Sequence, residues 1–122
     1  MKAKIYTDGF EGYAKRSLER AKKLSSGRKI EPEIAITFED PLKMAAVLTP
    51  ERIRLCQVAR RGPFPLSKLA AELHRDAKAV RRDVSTLERA GLLRTHLEAN
   101  PGHGRVRLVE PAAERFDLRV VF

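Results

Sequence analysis

LSKLAAELHRDAKAVRRDVSTLERAGLL, residues 66–93, spells out two helices and the turn between them. Ser67 is a suitable N-cap for a helix whose Leu69, Ala70 and Leu73 face one way. His74-Arg75-Asp76 reads as a tight turn, and Asp76 as the cap of a second helix that Gly91 ends. In that helix Val80, Val84 and Leu87 recur at steps of four and three, which marks a buried edge. The opposite face holds Lys78, Arg82, Ser85 and Arg89, flanked by Arg81 and Thr86. Cations and small hydrogen-bonding groups on one helix face suit phosphates and base edges, and arginine is the side chain best shaped for a bidentate contact to guanine.

The flanks complete a pattern. Upstream, Thr49-Pro50-Glu51 starts a helix carrying Ile53, Leu55, Cys56, Val58 and Ala59, stopped by Gly62-Pro63. Downstream, Leu92 to Leu97 reads as a strand, Asn100-Pro101-Gly102-His103-Gly104 as a turn, and Arg105 to Val109 as the return strand. Arg105 and Arg107 are two residues apart and share a face, with Arg94 expected beside them from the partner strand. Helix, helix, turn, helix, hairpin is the order of a winged helix-turn-helix, so the expected class is α+β with a core over residues 50–109. The expected DNA contacts are Arg75, Lys78, Arg81, Arg82, Ser85 and Arg89 from the recognition helix and its turn, and Arg94, His103, Arg105 and Arg107 from the wing.

Around that core the sequence predicts short β segments and one extra amphipathic helix. Ala3 and Ile5 alternate, and Asp8 with Glu11 resembles a capping box. Phe10, Tyr13, Ala14, Ser17, Leu18, Ala21 and Leu24 then follow at helical spacing, closed by Ser25-Ser26-Gly27. Residues 34–38 form a β-prone run. Asp40-Pro41 opens a short helix expected to bury Leu42, Met44, Ala45, Val47 and Leu48, and residues 116–122 are again β-prone. The expected division is a helical extension over residues 1–33 and a winged domain over 34–122. Phe10, Tyr13, Leu18 and Leu24 are the candidate dimer or partner surface, since a winged domain of about 60 residues supplies its own core.

Residues 50–93 resemble the MarR- and ArsR-like winged-helix regulators in the pattern set by Leu69, Ala70, Leu73, Val80, Arg82, Asp83, Val84, Leu87, Gly91, Leu92 and Leu93. With "ITFEDPLKMAAVLTPERIRL" before and "FDLRVVF" after, residues 34–122 are similar to a family of small bacterial and archaeal regulators. Some of these are encoded beside TumE-type toxins as their antitoxins. The resemblance implies a repressor that regulates its own operon and neutralises a cognate toxin through terminal segments away from the DNA face.

Bulk properties agree with a DNA ligand. In 122 residues, 25 Lys and Arg against 16 Asp and Glu give a net charge of +9. That charge forms two blocks, +6 over residues 1–29 and +7 over residues 50–107, separated by −3 over residues 30–49. A single cysteine, Cys56, cannot form an internal disulfide, and on an apolar helix it reads as a small core residue. One Cys and three His without ligand spacing depart from the metal-sensing ArsR pattern, so no metal or other cofactor is expected. No phosphate-cradling glycine loop, nucleophile elbow or paired carboxylates point to an enzyme. No stretch approaches membrane-spanning length, and a cytoplasmic location is expected. The expected partners are double-stranded DNA and a second copy of the chain, with half-sites about 34–36 Å apart. Two rival readings are a protein-interaction module that chiefly binds a toxin and an RNA-binding winged domain.

Overall fold

The computed structural model describes residues 1–102 and 104–122, so the expected contact at His103 lies outside the described residues. In chain order the elements are β1 (Lys2–Tyr6), α1 (Gly9–Ser25), β2 (Glu33–Thr37), α2 (Pro41–Val47) and α3 (Pro50–Ala59). Then come β3 (Phe64–Pro65), α4 (Leu66–Leu73), α5 (Ala77–Arg89), β4 (Leu93–Asn100), β5 (Gly104–Pro111) and β6 (Arg115–Leu118). They form two compact units, Val47–Ala112 and Met1–Ala46 with Ala113–Phe122. The dividing line therefore differs from the expected 1–33 and 34–122. Residues 34–46 and 113–122 join the N-terminal segment, because β1 pairs with both β2 and β6.

The central unit is a winged helix-turn-helix. Thr49 caps α3, its hydroxyl accepting from the Arg52 amide at 3.3 Å, with Pro50 in the first turn. Between α4 and α5 the chain turns at His74, which takes the left-handed conformation at φ 53°. The amide of His74 bonds to the Ala71 carbonyl and that of Arg75 to Ala70, a Schellman arrangement usually given to glycine. Asp76 caps α5 as its sequence implies, accepting from the Lys78 and Ala79 amides at 3.1 and 3.2 Å. Gly91, at φ 86°, ends α5 in the same way, with Leu92 N–H bonded to the Leu87 carbonyl at 2.9 Å.

Leu55, Leu69, Val80, Leu87, Leu93 and Val109 are fully buried and form the centre of the core. Each such leucine contributes about 1.5–3 kcal/mol by leaving water. The order β3-β5-β4 makes the wing a three-stranded antiparallel sheet. Its third strand, β3, was not anticipated, and it corrects the start of α4. Pro65 pairs with Leu108 and passes directly into the helix, so Ser67 lies inside α4 and caps nothing.

The other unit has a parallel sheet in the order β2-β1-β6. Parallel neighbours need a crossover, and α1 supplies it between β1 and β2. Gly9 starts the crossover at φ 65°; its amide donates to the Phe38 carbonyl at 3.0 Å, and a Cβ there would sit 3.0 Å from the Glu39 carbonyl oxygen. The registers Ile5↔Ile36 and Ile5↔Leu118 put Ala3, Ile5, Ile34, Ile36, Phe116 and Leu118 on one side of the sheet. The other side carries polar pairs, Lys4–Glu33 at 3.5 Å and Lys2–Asp117 at 3.9 Å.

Three local expectations change here. Asp8 forms no cap; its carboxylate pairs with Arg16 instead. None of the α2 residues is buried, and Leu42 is exposed. The final strand is shorter than the β-prone run, stopping at Leu118 with one further bond from the Arg119 amide to the Ile5 carbonyl.

Candidate nucleic-acid interface

Burial divides α5 cleanly. Val80, Val84 and Leu87 are inside, while Lys78, Arg81, Arg82, Ser85 and Arg89 are exposed. The Thr86 hydroxyl is used within the helix, donating to the Arg82 carbonyl at 3.1 Å. These five side chains of the expected face thus share the exposed side of α5.

Arg75 does not join it. Its Nη2 lies 2.8 Å from Asp83 Oδ2, and Arg52 Nε lies 3.1 Å from the other oxygen of the same carboxylate. Arg52 Nη1 also donates to the Val47 carbonyl at 3.2 Å. One carboxylate thus ties α3, the turn and α5 together, and Arg75 serves to hold α5 in place. Such a charge-assisted pair is stronger than a neutral hydrogen bond and fixes direction as well as distance.

The wing is sorted by register. In β4 and β5 the pairs Leu97↔Arg107 and Ala99↔Arg105 lie on the same side as Thr95↔Val109. That is the side turned to α5, because Thr95 donates its hydroxyl to Glu88 at 2.6 Å and Val109 is buried. Arg105 and Arg107 accordingly border a groove with Arg81, Ser85, Glu88 and Thr95. Arg94 belongs to the opposite side. It pairs with Glu110 in register, Nε to carboxylate at 3.0 Å, so its expected place beside the other two arginines is corrected.

The structure thus brings together Arg81, Ser85, Arg105 and Arg107. Lys78, Arg82 and Arg89 are exposed on the same helix outside the groove, and Phe10, Tyr13, Leu18 and Leu24 lie exposed on α1 in the other unit. Sequence reasoning missed Glu88 and Thr95. Glu88 follows Ser85 by three residues, the one local signal that it shares that side of the helix.

Cys56 carries no reactive thiolate at neutral pH, since burial pushes its thiol up to about 11. Among the described residues no group of three or more His, Cys, Asp and Glu side chains is placed to hold a metal ion. No helix among the described residues is long and apolar enough to cross a membrane.

A family model described as HVO_A0114 matches residues 47–109, just over half of the chain. The chain belongs to the HVO_A0114 family. The matched segment of this HVO_A0114-family chain runs from the start of the winged unit into the return strand of its wing, and so contains α5, Arg105 and Arg107.

Among the solved structures similar to it are these two. One is a "possible transcriptional regulator" from Methanosarcina mazei Go1, with TM-score 0.50 and 21% identity over 60% of this chain and 63% of that one. The other is the homodimeric winged helix-turn-helix DNA-binding domain of a "possible ArsR-family transcriptional regulator" from Mycobacterium bovis. Its TM-score is 0.48 and its identity 14%, over 58% of this chain and 61% of that one. The chain spans about three-fifths of the length of each. At such identities the likeness to the Methanosarcina protein is one of fold. No protein of curated function matches this chain.

Proposed function

We propose that this chain is a sequence-specific, double-stranded-DNA-binding transcriptional repressor that acts as a homodimer. The observation that carries the reading is the shared side of α5 and the wing. Arg81 and Ser85 on the helix border one groove with Arg105 and Arg107 on the hairpin, and Lys78, Arg82 and Arg89 extend the exposed cationic surface along the helix. A helix of this kind fits a major groove, and arginines on a thin ribbon beside it grip the adjoining backbone or minor groove. Occupying a promoter in this way blocks polymerase access. The resemblance of residues 34–122 to regulators encoded beside TumE-type toxins supports a finer reading, an antitoxin that represses its own operon and acts in the cytoplasm.

Arg82→Ala tests the assignment of the reading face. It is expected to weaken binding to the preferred duplex by about 1–3 kcal/mol and to relax preference at one or two base positions. Selection from a randomised duplex pool measures both. Unchanged affinity together with unchanged base preference would refute the assignment.

A further inference from the structure

α1 is turned the wrong way round for a helix that only covers a sheet. It docks by its polar side. The Arg16 guanidinium lies over the Tyr6 ring at 3.6 Å, donates to the Thr37 hydroxyl at 2.9 Å and pairs with Asp8; one turn on, Arg20 reaches Glu33 at 4.0 Å. Gly12 sits on the same side, where a Cβ would collide with the Asp8 carboxylate. The apolar stripe is left to solvent: Phe10 is 80%, Tyr13 52%, Leu18 58% and Leu24 64% exposed, and only Gly9 in the whole helix is buried. At 3.6 residues per turn, the arc from Tyr13 to Leu18 spans about 140° and holds Tyr13, Leu24, Ser17, Phe10, Ala21, Ala14, Ser25 and Leu18, with no charge in it. An uncharged arc of that width on a helix normally faces a packed neighbour.

The geometry points to a second copy of α1, packed antiparallel, as the occupant. Deepening the homodimer reading above, this gives the dimer its contact surface. Three features carry it. Along the helix axis the centre line of the arc is small in its middle, with Ala14, Ser17 and Ala21 allowing close approach, while the large Phe10 and Leu24 stand towards the N- and C-terminal ends of the helix. The charges bordering one edge of the arc are Glu11 near the N-terminus and Lys22 near the C-terminus, both exposed. A twofold axis through the middle of the helix keeps that edge on the same side in both copies. It therefore sets Glu11 of each copy against Lys22 of the other, at almost the spacing that faces Phe10 with Leu24. The helix dipoles then also run in opposite senses. In a parallel pair the twofold would run along the helices and carry that edge to the other side, setting Lys22 beside Arg20 of the other copy, and an acidic partner would leave Glu11 facing like charge.

Sedimentation velocity of the full chain over a concentration series tests this with a charge swap. Glu11→Lys and Lys22→Glu are each expected to weaken self-association by about tenfold, since each turns two attractive pairs into repulsive ones. The double variant should return to within about threefold of the unmodified chain. Ser17→Asp, at an exposed position that the monomer does not need, should weaken pairing by at least about a hundredfold. A chain that is monomeric throughout, or a double variant as weak as either single one, overturns the proposal. Duplex binding measured on the same samples separates the two readings. A monomer that still prefers its upstream DNA overturns the pairing alone, whereas a charge-swap-sensitive dimer that binds all duplexes alike supports the pairing and sinks the repressor reading.

Discussion

Asp83→Ala is expected to destabilise the winged unit by about 3 kcal/mol, enough to lower its Tm by roughly 12–24 °C. The Asp83 carboxylate is only 14% exposed and takes a guanidinium on each oxygen, from side chains that are 22% and 27% exposed. Removing it leaves two cations largely screened from water with their principal counter-charge gone, and Arg75 Nη1 is already buried with no hydrogen-bond partner among the described residues. Breaking a fully buried pair costs about 3–5 kcal/mol; the residual exposure here lets water replace part of the loss, which places the effect at the lower end. Asp83→Asn keeps the shape and one acceptor, so its cost should be about half as large. Thermal unfolding followed by circular dichroism measures both. A Tm within about 3 °C of the unmodified chain for Asp83→Ala would mean that the clamp does not hold α5 in place.

The second large effect is on binding. Arg105→Ala with Arg107→Ala is expected to weaken binding about 30-fold per protomer at 0.15 M salt for every duplex, whatever its sequence. Each phosphate contact contributes about 0.9 to the slope of log K against log salt, so two lost contacts flatten it by about 1.8 per protomer. Both side chains are exposed and the strand keeps its ladder, so the Tm should not move. Fluorescence anisotropy across a salt series reads affinity and slope together. An unchanged slope would show that the wing does not touch phosphate. A loss confined to one sequence would mean that these arginines read bases.

How much of this was legible depended on the range of the determining contacts. The ends of α5 were readable because Asp76, the Val80-Val84-Leu87 edge and Gly91 act within a few residues of one another. Arg75 was misplaced because its fate is set by Asp83, eight residues away, together with Arg52 from another helix. Arg94 was misplaced for want of a register. Once Asn100 faces Gly104, residues of like parity share a side, so Arg94 falls with Glu110 and away from Arg105 and Arg107. The parallel sheet was the least visible feature. Alternation at Ala3 and Ile5 announces a strand, yet nothing local says that its partners lie at residues 33–37 and 115–118. The stripe on α1 was legible as a pattern; that it would face outward followed only from Arg16 and Arg20 docking the opposite side on the sheet.

The most direct test of the account is binding of the full chain to the DNA upstream of its own gene, compared with a scrambled duplex of equal length across a salt series. A sequence-specific repressor should prefer the upstream duplex by about a thousandfold or more at physiological salt. Equal and steeply salt-dependent binding to both duplexes, or tighter binding to structured RNA than to either, would contradict it.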